Sequence, residues 1–180
     1  MNKVKKIFSV VKRELIKTIA YLDTDLYIRL YTNYLKNLGI NFTGKDKEIK
    51  YIAPSVFFDG TDYTLISLGD NVTVSREVLF LTHDYSLNTA FCAIGERINR
   101  HEGEVKFVRK IEVGNDTFIG ARVMILPGTK VGNNCIVGAC TVLKGIIPDN
   151  SVVIGNPCQI IGKTSEYAER HKEIKDYDIE

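Results

Sequence analysis

The stretch "VGNDTF IGARVM ILPGTK VGNNCI VGACTV", residues 113 to 142, decides the fold because it divides into consecutive sixes. The first position of each six is Val113, Ile119, Ile125, Val131 and Val137, with Leu143 continuing the series, so one position is always aliphatic. The fifth is Thr117, Val123, Thr129, Cys135 and Thr141, always small. Gly114, Gly120, Gly132 and Gly138 hold the second, where a corner can use a residue with no Cβ penalty. Leu126 departs from that rule and is followed at once by Pro127-Gly128, turn residues in their own right. A period of six matches neither a 3.6-residue helix nor a hairpin meander. It fits short strands joined by tight corners and coiled so that the aliphatics of each face stack on the coil below, a parallel β-helix. Backbone hydrogen bonds between coils make each coil a template for the next, and the two ends need covers.

The same grammar runs upstream through "IAPSVF" (52–57), "LGDNVT" (68–73), "VSREVL" (74–79) and "FLTHDY" (80–85). Val113 is out of phase with that run, so the coil is interrupted between Ser86 and about Lys110. That segment carries charges and no hexad and is read as a loop leaving the coil directly after His83; loops of this length inside a compact domain are usually functional or disordered.

Outward from the coil, the expected organisation is an N-terminal helical segment (1–49), the β-helix domain (50–163) with its inserted loop at about 86–110, and a C-terminal tail or helix (164–180). Ile7, Val11, Leu15 and Ile19 fall four apart, as do Leu26, Leu30, Tyr34 and Leu38, which predicts two short helices with Gly39 stopping the second. The first carries Lys3, Lys5, Lys6, Lys12, Arg13 and Lys17. Either this is a solvated face whose apolar side packs on the domain, or it makes weak contact with anionic lipid head groups.

Lys+Arg 24 against Asp+Glu 22 gives a net charge of +2, so no global field points to nucleic acid. The four cysteines form no C-x-x-C pair, and the chain opens without a signal-peptide pattern; a reduced, cytoplasmic compartment is the expectation. Cys135 and Cys140 read as core packing rather than reactive thiols, and no zinc-ligand spacing is present. No stretch approaches the ~18 uncharged apolar residues a spanning helix requires.

The phrase "IGARVMILPGTKVGNNCIVGACTVLKGIIPDNSVVIGNPCQIIGK", following hexads over roughly residues 50 to 163, resembles the hexapeptide-repeat acyltransferases, in the maltose, galactoside and polysaccharide O-acetyltransferase branch. The resemblance implies a mainly β fold, a left-handed parallel β-helix, and a homotrimer with active sites between subunits. It implies acetyl-CoA as co-substrate, no metal, and a sugar or saccharide hydroxyl as acceptor. In the family a histidine just before the extended loop is the general base, and His83 occupies the matching place. Ala121 and Ala139, after Ile-Gly120 and Val-Gly138, match pantetheine-contact positions; Lys144 matches a lysine near the nucleotide phosphates, and Cys158 falls on the segment bordering the adenine. Phe118 stands where many relatives have tryptophan, keeping an aromatic wall without an indole N–H, and Gln159 where some have arginine.

The chemistry suits a histidine, because an alcohol at pH 7 is a poor nucleophile and His can accept its proton near neutrality and pass it on. The alcohol oxygen would then attack the thioester carbon directly, giving an oxyanion whose donor the sequence does not identify. Asp59 and Asp84 are the carboxylates available to orient the base. Adjacent strand residues point to opposite faces, which weighs against Asp84, while Asp59 could instead hold the acceptor. His101 and His171 read as surface histidines. Acetyl transfer to serine or a xenobiotic alcohol, and a non-enzymatic β-helix scaffold, are the competing readings; three histidines make a poor match to the zinc-dependent β-helix carbonic anhydrases.

Overall fold

The computed structural model describes residues 3–59, 62–99, 102–175 and 177–178. His101 lies outside the described residues. Three parallel ladders form the faces of a left-handed β-helix. The first face stacks Asn41–Phe42, Ile66–Leu68, Ile111–Val113, Lys130–Val131 and Ile146–Ile147. The second stacks Tyr51–Ile52, Thr73–Val74, Phe118–Ile119, Ile136–Val137 and Ser151–Ile154, and the third Phe57–Phe58, Leu79–Phe80, Met124–Ile125 and Val142–Leu143. Every strand pair within these coils is parallel.

The aliphatic first positions point inward: Val113, Ile119, Ile125, Val131, Val137 and Leu143 are all buried and make the columns of the core. The fifth positions fill the inside of the corners. There the hydroxyls of Thr117, Thr129 and Thr141 donate to corner carbonyls (Gly132 O at 3.0 Å, Leu126 O at 2.7 Å, Gly138 O at 2.7 Å), satisfying groups that no ladder reaches.

The corners work differently from the expectation for the second-position glycines. The residue with positive φ is the fourth of each six: Asp116, Arg122, Gly128, Asn134 and Cys140. The second-position glycines are needed for space, since a Cβ on Gly114 would lie 2.6 Å from Gly132 O and one on Gly120 2.7 Å from Val137 O in the coil above. Cys135 is buried, but Cys140 sits exposed at one of these left-handed corners, so it is not core.

The coil starts before residue 50, because Asn41–Phe42 already pairs with Ser67–Leu68. Preceding it are helices α1 (Lys3–Ile19) and α2 (Thr24–Leu38). Asp23 caps α2 through a side-chain bond to Leu26 N, and Gly39, at φ 108°, returns its N–H to Leu35 and Lys36 carbonyls. The buried face of α2 is made of Tyr27, Tyr31, Thr32, Tyr34 and Leu35; of the four-residue row, Tyr34 is buried and Leu30 and Leu38 pack partly against the core. Tyr27 stacks on Tyr31 at 5.2 Å, Tyr31 on Tyr34 at 6.1 Å, and the Tyr27 hydroxyl donates to Ile52 O at 2.6 Å. Burial pushes the Tyr27 and Tyr31 phenols well up.

Among the described side chains of α1 only Ile16 is buried, with Ile19 and Ala20 packed against the core, while Phe8, Val11 and Leu15 stay exposed. Of the row Ile7, Val11, Leu15 and Ile19, then, Val11 and Leu15 are exposed and Ile19 packs against the core, while the Ile7 side chain lies outside the described residues. At the other end Ser151–Ile154 pairs antiparallel with Gln159–Lys163, which closes the last coil.

Asn71 and Asp116, neighbours on successive coils, are 45 residues apart where a full coil takes 18, so the chain makes a 27-residue excursion between them. The excursion is not structureless. It holds helix α3 (Ser86–Ala93), and its return strand, Phe107–Val108, pairs antiparallel with His83–Asp84. Helix α4 (Thr164–Ile174) follows the last strand, with Thr164 donating to Asn134 O at 2.7 Å.

Candidate active site

The site grows from the edge of the coil where the third face turns toward the first. Phe57–Phe58 lies beneath Leu79–Phe80, the Phe58 and Phe80 rings stack at 4.9 Å, and Asp59 N donates to Phe80 O at 3.0 Å. This register puts the Asp59 carboxylate under residues 82 and 83 of the next coil. Its Oδ2 accepts from Thr82 N and from Thr82 Oγ1, each at 3.1 Å, and is hydrogen-bonded to His83 Nδ1. Asp59 is 5 % exposed and the His83 side chain 23 %, so the carboxylate is sheltered while the ring reaches solvent.

The imidazole is held on its other sides too. His83 pairs with Val108 across the short antiparallel ladder, Arg109 N donates to Thr82 O at 3.0 Å, and the Tyr85 ring stands edge-on to the imidazole at 5.3 Å. A carboxylate at Nδ1 keeps the proton on that nitrogen and leaves the lone pair of a neutral ring on Nε2. Among the described residues Nε2 has no hydrogen-bond partner. Chemically the arrangement is a base with its orienting group in place and its working nitrogen open.

Asp84 points elsewhere. Its Oδ1 accepts from Ser86 N at 2.7 Å, and the Ser86 N–H and then the hydroxyl hold its carboxyl below the usual carboxylate range. It tethers the start of α3, and its hydrogen bond goes to Ser86 rather than to the His83 ring. Asp84 and Ser86 also line an open groove of about 520 Å³ that continues past Phe107 and Arg109 to Leu126 and Lys144. Arg109 and Lys144 give it more positive than negative charge, suited to an anionic ligand.

The remaining candidates do not converge with these. Gly120, Ala121 and Ala139 lie at a different edge, where the second face turns into the third; Ala121 O accepts from Cys140 N at 2.9 Å, so the two alanines stack on successive coils. Phe118 is exposed on the second face, and Cys158 is half-buried in the turn between Ser151–Ile154 and Gln159–Lys163. Within one chain, then, Asp59, His83, Asp84 and Lys144 share one edge and Gly120, Ala121 and Ala139 another. Sequence reading passed over Thr82, Phe107 and Arg109. The stacking of "FFD" (57–59) under "LFLTHD" (79–84) was the available signal for the Asp59, Thr82 and His83 cluster.

A triangular coil of hexads with a single histidine at the root of an excursion defines a hexapeptide-repeat transferase fold. Residues 110–145 match the family described as bacterial transferase hexapeptide (six repeats). It is similar to the galactoside O-acetyltransferase of Escherichia coli, 31 % identical over 119 residues covering 66 % of this chain and 53 % of that protein. It is also similar to the putative lipopolysaccharide biosynthesis O-acetyl transferase WbbJ of Escherichia coli, 26 % identical over 155 residues covering 83 % and 78 %. The chain spans about half the length of several of the curated relatives it matches. Among solved structures, a hexapeptide-repeat acetyltransferase of Vibrio cholerae complexed with acetyl coenzyme A superposes with a TM-score of 0.58 at 19 % identity, covering 90 % of each chain, a likeness of fold.

Proposed function

We propose that this protein is an acetyl-CoA-dependent O-acetyltransferase with His83 as general base, acting on a hydroxyl of a sugar or saccharide precursor. The observation that carries the reading is the Asp59–His83 hydrogen bond, which leaves Nε2 open on the residue next to Asp84, one of the side chains that line a groove with Arg109 and Lys144. Acetyl-CoA would supply the activated acyl group. His83 Nε2 takes the acceptor's hydroxyl proton as the oxygen adds to the thioester carbon; when the C–S bond breaks, the same nitrogen returns the proton to the departing sulfur. Asp59 steadies the imidazolium that exists between these steps, with Thr82 fixing the carboxylate.

The separation of candidates onto two edges favours a site shared by subunits of a homotrimer. His83 of one copy would face Gly120, Ala121 and Ala139 of the next, with Lys144 and Cys158 toward the nucleotide end and Phe118 toward the acceptor. The saccharide acceptor and a role in polysaccharide assembly draw support from the names of the relatives above, and a cytoplasmic location fits a coenzyme A substrate. Among the described residues no helix is long and apolar enough to cross a membrane.

Thermal unfolding with and without excess acetyl-CoA tests the reading with no knowledge of the acceptor. A ligand at ~100 times its dissociation constant adds ~2.7 kcal/mol to the folded state. A saturable upward shift is expected; its absence would return the scaffold reading to the front.

A further inference from the structure

Helix α1 faces the wrong way for a helix whose only task is to cover the coil. Its inward side carries Ile16, a Ser9 to Tyr34 hydroxyl contact at 3.1 Å, and the stems of Arg13 and Lys17, which help to line a cavity of about 230 Å³ against Tyr31, Tyr34 and Phe58. Its outward side carries Phe8, Val11 and Leu15 at the spacing i, i+3, i+7, exposed to 72 %, 51 % and 63 %; Leu22, in the turn beyond, is 87 % exposed. Three large apolar side chains in a row on solvent are costly unless something covers them, since burying each is worth roughly 1.5–3 kcal/mol.

Charge narrows what that something is. Between Lys3 and Ile19 there are six basic residues, Lys3, Lys5, Lys6, Lys12, Arg13 and Lys17, and one acidic, Glu14, a local net of +5. The whole chain is +2, so the rest of it is −3. A positive helix on a mildly negative body, with an apolar stripe and an exposed Lys12 beside it, has the composition of a helix that lies in the plane of an anionic bilayer surface.

We infer that α1 docks this protein on an anionic lipid surface, with Phe8, Val11, Leu15 and Leu22 set among the acyl chains and Lys12 at the head groups. The inference stands apart from the catalytic reading. It has a geometric consequence for it, because the inward side of the same helix walls the cavity that ends at Phe58, the residue before Asp59. Docking through α1 would hold the Asp59–His83 site over a surface where a lipid-linked acceptor would be presented.

The test is co-sedimentation of the full chain with vesicles of phosphatidylcholine alone and of phosphatidylcholine mixed equally with phosphatidylglycerol, at low and high salt. Binding to the mixed vesicles, weakened by salt, is expected, with little to phosphatidylcholine alone. Phe8→Ser with Leu15→Ser should lower the partition by at least ~10-fold, as should Lys5→Glu with Lys12→Glu; circular dichroism and CoA-dependent thermal shifts check that the variants remain folded. Equal binding to both compositions, or binding untouched by the serine variant, would overturn the inference. So would a wild-type chain that ignores vesicles; if its Phe8→Ser/Leu15→Ser variant then falls to a smaller oligomer, the stripe belongs to a second copy.

Discussion

Asp59 and His83, 24 residues apart in sequence, meet because one coil separates them: the carboxylate rises from the corner of the first coil to the Nδ1 of the ring on the second. The same oxygen takes both Thr82 donors, so one buried atom sets the ring's tautomer and its angle. A general base built in this way owes its position to the coil register, and the variants below separate the base from the frame that holds it.

Asp59→Asn keeps the shape of the side chain and removes its charge. The amide can turn either an N–H or a carbonyl toward Nδ1, so the tautomer is no longer fixed and the imidazolium loses its counter-charge. Turnover is expected to fall by ~10²- to 10⁴-fold. Asp59→Ala should lose stability as well, by ~1–3 kcal/mol, because the buried Thr82 N–H and hydroxyl are left without an acceptor. Steady-state rates beside denaturant unfolding separate the two effects; equal rates for Asp59→Asn and wild type would remove Asp59 from the mechanism.

Asp84 makes a prediction about pH. Its folded-state carboxyl is held low by Ser86. A depressed carboxylate stabilises the fold above its unfolded value, about 3.9, and that contribution is lost as pH falls through the lower folded value. Amides of α3 should therefore lose protection, relative to their intrinsic exchange, as acid is added below about pH 4. In Asp84→Ala they should already be poorly protected at neutral pH. Hydrogen exchange over residues 86–93 measures this, and unchanged protection in the variant would contradict it.

The corner rule predicts opposite outcomes for two neighbouring coil positions. Gly120→Ala puts a methyl 2.7 Å from Ala139 N and Val137 O, both backbone atoms that cannot give way, and should cost ~1–3 kcal/mol. Cys140→Gly, at φ 61°, relieves a left-handed side chain worth ~1–2 kcal/mol and adds ~0.5–1 kcal/mol of chain entropy cost. It should leave stability unchanged or raise it slightly. Thermal unfolding of the two variants decides.

If the site spans two subunits, an intact half can be supplied by each. His83→Ala and Ala139→Trp should each be inactive, yet unfolding and refolding them together in equal amounts should restore roughly a quarter of the wild-type rate, the statistical share of interfaces with both halves intact. No recovery from a mixture shown to contain hybrid assemblies would place the whole site within one chain.

How much of this was legible in the sequence can be judged residue by residue. The inward column from Val113 to Leu143 and the small fifth position were readable because each recurs every six residues and each has one physical task. The left-handed fourth position was not, because Arg122 and Cys140 occupy it as well as Asp116 and Asn134, and only the last two types favour that conformation. On α2 the row Leu26, Leu30, Tyr34 and Leu38 drew attention from Tyr27 and Tyr31, aromatic residues that carry polar hydroxyls into the packed face. The role of Asp59 stayed open because a contact across one coil depends on register, and register was readable only by laying "FFD" under "LFLTHD". The outward apolar stripe of α1 has no sequence signature of its own, since amphipathic spacing does not say which side meets the domain.

The central claim, that His83 Nε2 takes the acceptor's proton, is tested most directly by the rate of CoA thiol release by His83→Ala in the presence of an acceptor the wild type uses. The account predicts a loss of ~10²- to 10⁴-fold with the acetyl-CoA thermal shift and the assembly state unchanged. A variant that turns over at the wild-type rate would contradict it and leave His83 as a packed histidine at the root of the excursion.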